Sequence, residues 1–297
     1  MVSNLTSNQY GQVSAITLAD NIDGLVIEHQ YCTAQISLHG GQVLAWQPKN
    51  QQPVFWLSKA ASYQSDKAIR GGIPLCWPWF GAHHNDPENQ AGNHGFARQQ
   101  TWQIDNIEIS AQAVTVILSW QGTQMHDLFP IACQLKQTLV FGDDLKQSLE
   151  MVNLSADDIE YTAALHSYFQ VSHPQNINVE QLSTLDFDDK LTGDKHKPED
   201  FINGQGPVDR IYHGNEESTC MRIVDDEWHR VIEITSQNTA QWVFWNPGFD
   251  GAKNMVDVHQ NGEQEFVCLE AANTNPQVLT ANSSLVISQK IAVYSTV

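Results

Sequence analysis

Four segments of the chain carry side chains able to move protons or hold anions. The first is Arg70-Gly-Gly-Ile-Pro-Leu-Cys-Trp-Pro-Trp-Phe-Gly81. Paired glycines permit positive φ or close approach of the backbone to a ligand, the prolines stiffen the residues after them, and three aromatics offer an apolar floor. An arginine heading so rigid an element loses little entropy on meeting an anion. The competing reading is a surface arginine beside a packed turn. The second segment is Asn93-His-Gly-Phe-Ala-Arg98, in which His94 and Arg98 flank a glycine and an aromatic and can point into one pocket. Arg70 and Arg98 together match the oxygens of a phosphate with two planar forks. By local sequence alone, His94 reads more readily as a structural histidine.

The third segment, Tyr161-Thr-Ala-Ala-Leu-His-Ser-Tyr-Phe-Gln-Val171, alternates like a strand. Thr162, Ala164, His166, Tyr168 and Gln170 fall on one face, so His166 lies among small and hydrogen-bonding side chains, as on a sheet face lining a polar cleft. A satisfied core histidine is the alternative. The fourth is Glu265-Phe-Val-Cys-Leu-Glu-Ala-Ala-Asn273, where Glu270 ends an apolar strand on the face of Phe266 and Cys268. Partial desolvation raises a carboxyl pKa toward the range of a general base. A structural buried Glu would need a partner, and none is near in sequence.

Other candidates are weaker. His83-His84 with Asp86 and Glu88 reads as a solvated loop, because adjacent histidines in a strand or loop diverge. Asp143-Asp144, Asp157-Asp158 and Asp225-Asp226 sit between strands and lack the alternating spacing of a calcium loop. No G-x-S-x-G, P-loop or G-x-G-x-x-G is present, so nucleophilic and nucleotide mechanisms have no support.

The elements that must position these residues are strands. Runs rich in Val, Ile, Thr and aromatics cover Leu25–Leu38, Val114–Trp120, Cys133–Phe141, Leu145–Leu154, Tyr161–Val171, Val231–Thr235, Gln241–Trp245, Glu265–Glu270 and Leu285–Val293. Many alternate with period two. The best helix candidate is Lys59–Ala68. Two packed antiparallel sheets, an all-β sandwich with few short helices, are the economical solution. No boundary divides the chain, so a single domain over 1–297 is expected, with polar loops at Gly81–Asn93 and Asp186–Pro207.

Composition narrows the partners. The chain has 297 residues, 41% of them hydrophobic, which is enough for a large core. Its 34 acidic against 15 basic side chains give a formal charge of −19, which argues against nucleic acid and anionic membranes. Five scattered cysteines, none in a C-x-x-C pair, suit buried free thiols in a reducing compartment. The polar N-terminus lacks a secretory pattern, and a cytoplasmic, monomeric protein is expected.

In this order and spacing, Arg70-Gly-Gly-Ile-Pro, Asn93-His-Gly-Phe-Ala-Arg, Leu165-His-Ser-Tyr-Phe, Val208-Asp-Arg-Ile-Tyr212 and Leu269-Glu-Ala resemble the aldose 1-epimerase superfamily. They look most like its hexose-phosphate branch, the glucose-6-phosphate 1-epimerases. The similarity runs from about Leu25 to Val293. The resemblance implies a galactose mutarotase-like supersandwich with the sugar in an open cleft on one sheet. It assigns His166 as catalytic acid and Glu270 as base. Arg70 and Arg98 become substrate ligands through the phosphate, Asp209 an acceptor of sugar hydroxyls, and His94, with Asn93, further substrate contacts.

That chemistry suits these side chains. Exchanging anomers requires the hemiacetal hydroxyl to lose a proton while the ring oxygen gains one. Glu270 as carboxylate and His166 as imidazolium would serve, with the imidazole pKa raised by the nearby carboxylate. Neither a metal nor an organic cofactor is required. Three rivals stay open: a non-catalytic carbohydrate-binding sandwich, a two-carboxylate glycosidase using Asp209 and Glu270, and a mutarotase of unphosphorylated aldoses.

Overall fold

The structure, a computed structural model, describes residues 3–19, 21–201, 203–214 and 219–296. Period-two alternation is converted directly into sheet. In Ala132–Phe141 every second residue from Cys133 to Phe141 is buried, and its antiparallel neighbour Asp144–Asn153 is held in the register Leu145↔Phe141. These two strands lie inside an eight-stranded sheet. Its order is Ile177–Asn178, Cys220–Asp225, Arg230–Gln237, Ser284–Ser295, Asp144–Asn153, Ala132–Phe141, Val114–Thr123 and Gln103–Ile109.

A second sheet positions the candidate residues. It runs Lys195–His196, Phe187–Asp189, Val208–His213, Gln241–Asn246, Phe266–Leu279, Ile159–Leu165 and Leu75–Cys76, with Tyr168–Gln170 also pairing with Phe266–Leu279. Its inward residues, among them Leu165, Phe169, Val267, Leu269 and Ala271, join residues of the first sheet such as Leu135, Leu149 and Ile291 in one core. Its outward face carries smaller apolar clusters, one built on Trp56, Tyr168, Phe266 and Cys268 and one on Cys76, Ala164, Val243 and Ala272. An N-terminal meander of five strands, from Ser3–Asn8 to Gln42–Pro48, contributes Val13, Leu25, Ile27 and Trp46 to the main core. The fold is therefore the expected antiparallel β-sandwich.

Several local expectations change. Leu25–Leu38 is two strands, Ile22–His29 and Cys32–Ser37. Lys59–Ala68 is not helical: it is a succession of turns with mostly exposed or half-buried side chains, and without an apolar face to bury a helix there has nothing to dock. The α-helix among the described residues is Gly248–Lys253. The segment 186–207 is not all loop, because Phe187–Asp189 and Lys195–His196 extend the second sheet at its edge. Residue 202 of that segment and residues 1–2 of the N-terminus lie outside the described residues. No described helix is long and apolar enough to cross a membrane.

Candidate active site

Register brings the two proton-transfer candidates together. Leu165 pairs with Ala271 and Tyr168 with Cys268, so counting inward from both pairs puts His166 opposite Glu270. Residues opposite one another in antiparallel strands share a face. The strand breaks at His166-Ser167, where the His166 N–H donates to Pro74 O and the Tyr168 N–H to Gly72 O. Alternation survives the break: the Tyr168 ring stacks on His166 at 4.8 Å and 6° on the outward face, while Ser167 turns to Gln289 of the other sheet. Pairings Asp209↔Trp245 and Trp245↔Cys268 extend the same row across the sheet.

His166 Nδ1 approaches Glu270 Oε1 to 3.2 Å, with side-chain exposures of 8% and 1%. The separation is that of a hydrogen bond but the alignment is not, and His166 Nδ1 and Glu270 Oε2 have no hydrogen-bond partner among the described residues. Burial dominates both titrations. It pushes the His166 pKa well below the ordinary value, with His94, Arg98 and Arg70 acting the same way. It pushes Glu270 well above the carboxylate range, aided by Asp209 and opposed by Arg98. The expected raised imidazole pKa is thus corrected. Loss of water disfavours the charged form of both groups; the guanidinium charges add to this at His166, whereas at Glu270 Arg98 opposes it.

The arginines are held differently. Arg70 Nε meets Asp257 Oδ2 at 3.1 Å and its Nη1 donates to the Tyr168 hydroxyl at 2.8 Å. Burial works against its charge, but Tyr168 and Asp257 more than offset this. Arg98 donates from Nη2 to the Asn93 carbonyl at 2.8 Å, and its buried Nε has no partner among the described residues. Gly71 and Gly72 both have positive φ. A Cβ there would strike Trp56 and Val43 backbone, so their close approach is to neighbouring backbone and not to a ligand.

His94 closes the neck of the 81–93 loop: its N–H donates to Gly81 O, and its Nδ1 accepts from Gly81 N at 3.2 Å. That bond fixes the neutral tautomer with the proton on Nε2. Burial, Arg98 and Arg70 depress its pKa, and its ring centroid lies 5.6 Å from that of His166. His94 holds φ +70, an uncommon left-handed conformation for a non-glycine residue. Asn93 is exposed and its side-chain oxygen accepts from Asn89, so its contact with this group is the carbonyl that holds Arg98. Asp209 is half-buried, and burial followed by Asp189 raises its pKa against the opposing pull of Lys190. His83 and His84 do not diverge; their rings stack at 4.6 Å and His83 Nδ1 accepts from Asn85 N.

Sequence reasoning misses three contributors. Tyr168 is visible only as a neighbour on the His166 face, yet it supports that ring and accepts from Arg70. Asp257 lies in a turn with no pattern around it, and only the tertiary structure pairs it with Arg70. Cys268 brings its Sγ to within 4.8 Å of donor atoms of both His166 and Glu270; its shared face with Glu270 is the available signal.

The match extends over the chain. The sequence profile of the family described as "Aldose 1-epimerase" covers residues 23–292. A protein of Escherichia coli K12 named "Putative glucose-6-phosphate 1-epimerase" is 30% identical over 280 residues, covering 92% of this chain and 91% of that protein. A protein of Cenchrus ciliaris with the same name is 31% identical over 253 residues, covering 81% and 75%. A crystal structure described as a "putative mutarotase (YeaD)" of Salmonella typhimurium superposes with a TM-score of 0.85 at 28% identity, covering 98% of this chain and 95% of that one. With most of its length matched and His166 buried against Glu270 on one sheet face, the chain belongs to the aldose 1-epimerase family.

Proposed function

We propose that this protein is a mutarotase of hexose 6-phosphates, exchanging the α and β anomers of glucose 6-phosphate or a close relative. The observation that carries the reading is the 3.2 Å approach of His166 Nδ1 to Glu270 Oε1 beside Arg70 and Arg98. The names of the bacterial and plant relatives point the same way. Buried free cysteines support a cytoplasmic setting.

Neutral imidazole plus carboxylic acid and imidazolium plus carboxylate contain the same number of protons. The pair therefore needs only an internal transfer to become the acid–base couple that ring opening requires. Desolvation, His94 and the two guanidinium charges hold His166 unprotonated. A substrate phosphate held by those arginines offsets their charge, and the proton then moves toward His166. Glu270 takes the anomeric hydroxyl proton while His166 gives one to the ring oxygen. The open-chain aldehyde turns about its bond to the next carbon, and closure on the other face reverses both transfers. Asp209 accepts hydrogen bonds from sugar hydroxyls, and the Nε2–H of His94 donates one. Each positioned proton transfer contributes about 10²–10⁴-fold.

NMR exchange spectroscopy between the anomers of glucose 6-phosphate tests this. The protein should accelerate exchange, and Arg70→Ala and Arg98→Ala should raise KM for the phosphorylated sugar far more than for glucose. Equal losses on both sugars would remove the phosphate assignment. Binding without exchange would make the chain a lectin-like module, and release of reducing sugar from a glycoside would make it a glycosidase.

A further inference from the structure

The outward sheet face presents three donor atoms of different chemistry at one point. The nitrogen, sulfur and oxygen of His166, Cys268 and Glu270 lie within 4.8 Å of one another, and all three residues are buried. Cys268 sits two residues before Glu270 on one strand and directly opposite Tyr168, so its thiol belongs to the same face. Independently, His166 Nδ1 and Glu270 Oε2 are buried polar atoms with no hydrogen-bond partner among the described residues. Buried polar groups are rarely left so.

We propose that His166, Cys268 and Glu270 form a site for a thiophilic divalent cation of the zinc class, whose occupancy blocks the proton-transfer pair. The part about blocking rests on the function proposed above; the site itself does not. Zinc binds sulfur at about 2.3 Å and nitrogen or carboxylate oxygen at about 2.0–2.2 Å, so tetrahedral ligands stand roughly 3.3–3.6 Å apart. The His166–Glu270 separation of 3.2 Å is close to that figure, and the thiol lies within 4.8 Å of both donors. Three protein ligands leave a fourth position for water or a sugar hydroxyl.

Charge favours a dication. Cys268 and Glu270 are both buried, where a lone thiolate or a lone carboxylate is costly. On binding, the thiol and the carboxylic acid each release a proton to solvent, and two anions with a dication sum to zero. The opposition of Arg70 to the cation is reduced by its pairing with Asp257. Imidazole, thiolate and carboxylate together suit zinc, or cobalt as its spectroscopic substitute, far better than magnesium or calcium.

The tests use the whole protein, without sugar for the cobalt titration and with glucose 6-phosphate for the exchange assay. Cobalt(II) should produce a thiolate-to-metal charge-transfer band that zinc displaces, and zinc should inhibit anomer exchange. Cys268→Ser should abolish the band and raise the zinc concentration for half-inhibition at least about tenfold, judged against that variant's own metal-free rate. Glu270→Gln, which needs no repacking, should weaken cobalt binding by a similar factor. Absence of the band in the wild type overturns the proposal, as does a band that survives both substitutions unchanged, which would assign it to another cysteine. Metal binding without anomer exchange would overturn the proposed function and leave the site standing.

Discussion

Two polar clusters are buried back to back across the strand break at His166-Ser167, and they are built in opposite ways. On the inward side, Gln137 Nε2 donates to Gly41 O at 2.6 Å, Gln147 Nε2 to Gln137 Oε1 at 2.6 Å, and Gln289 Nε2 to Gln147 Oε1 at 2.8 Å and Ser167 Oγ at 3.1 Å. Every member is neutral, and each is tied to the next. On the outward side, His166 and Glu270 are titratable, pushed toward their uncharged forms, and left with atoms that have no partner among the described residues. The first cluster is what a core tolerates, since a satisfied polar network can specify the packing of two sheets. The second withholds hydrogen bonds that a ligand would complete. Stability and reactivity are thus separated by one residue of chain and the pleat of a strand.

The largest expected effect sharpens that contrast. His166→Ala and Glu270→Gln should each lower kcat for anomer exchange by about 10²–10⁴-fold. The double variant should be little worse than either single one, because the two act as a unit. Glu270→Gln should also be more heat-resistant than the wild type at neutral pH. The folded pKa of Glu270 lies above its ordinary value, which is about 4.3 in an unfolded chain. As pH rises the unfolded chain therefore ionises first, and the wild type loses stability relative to Gln. Thermal melts across pH should show the gap widening upward from the carboxylate range. A gap that shrinks with pH would mean the carboxylate is stabilised in the fold and the two clusters are less different than they look.

On the inward side the signs reverse. Gln147→Ala strands Gln137 Oε1 and leaves Gln289 Nε2 with Ser167 Oγ alone at a cost of about 1–3 kcal/mol, read as a fall in Tm with kcat for exchange unchanged. A large loss of kcat would show that the two clusters are coupled. Tyr168→Phe keeps the ring stacked on His166 but removes the acceptor of the Arg70 hydrogen bond. A lost bond to a charged group amounts to about 1.5 kcal/mol, so KM for the sugar phosphate should rise about tenfold while the pH profile stays in place. The smallest effect is expected at His94→Asn. Asparagine tolerates the left-handed backbone, so Tm should hold while kcat/KM falls a few-fold through the lost imidazole donor, as steady-state kinetics would record.

Legibility follows range along the chain. The strand Ala132–Phe141 can be read from its alternation because that pattern is local. The shared face of His166 and Tyr168 can be read for the same reason, even though the strand breaks between them. Lys59–Ala68 misleads because a modest helical preference has no force without a face to bury. Asp257 is invisible, since its pairing with Arg70 depends on a loop returning from 187 residues away. Gly71 and Gly72 stand out in the sequence as special, but only the structure shows that they make room for Trp56 and Val43 backbone.

The amino-acid order by itself settled which residues face together on each strand, because the two-residue period is a property of extended backbone. It also supplied the imidazole, the carboxyl group and the guanidinium groups. Only the folded chain decided that the register between distant strands sets His166 against Glu270 and brings the Cys268 sulfur beside them. It alone shows that burial lowers the imidazole pKa, where the expectation was a rise. How far water is excluded, and which charges stand nearby, are properties of the surroundings that no local run of residues contains.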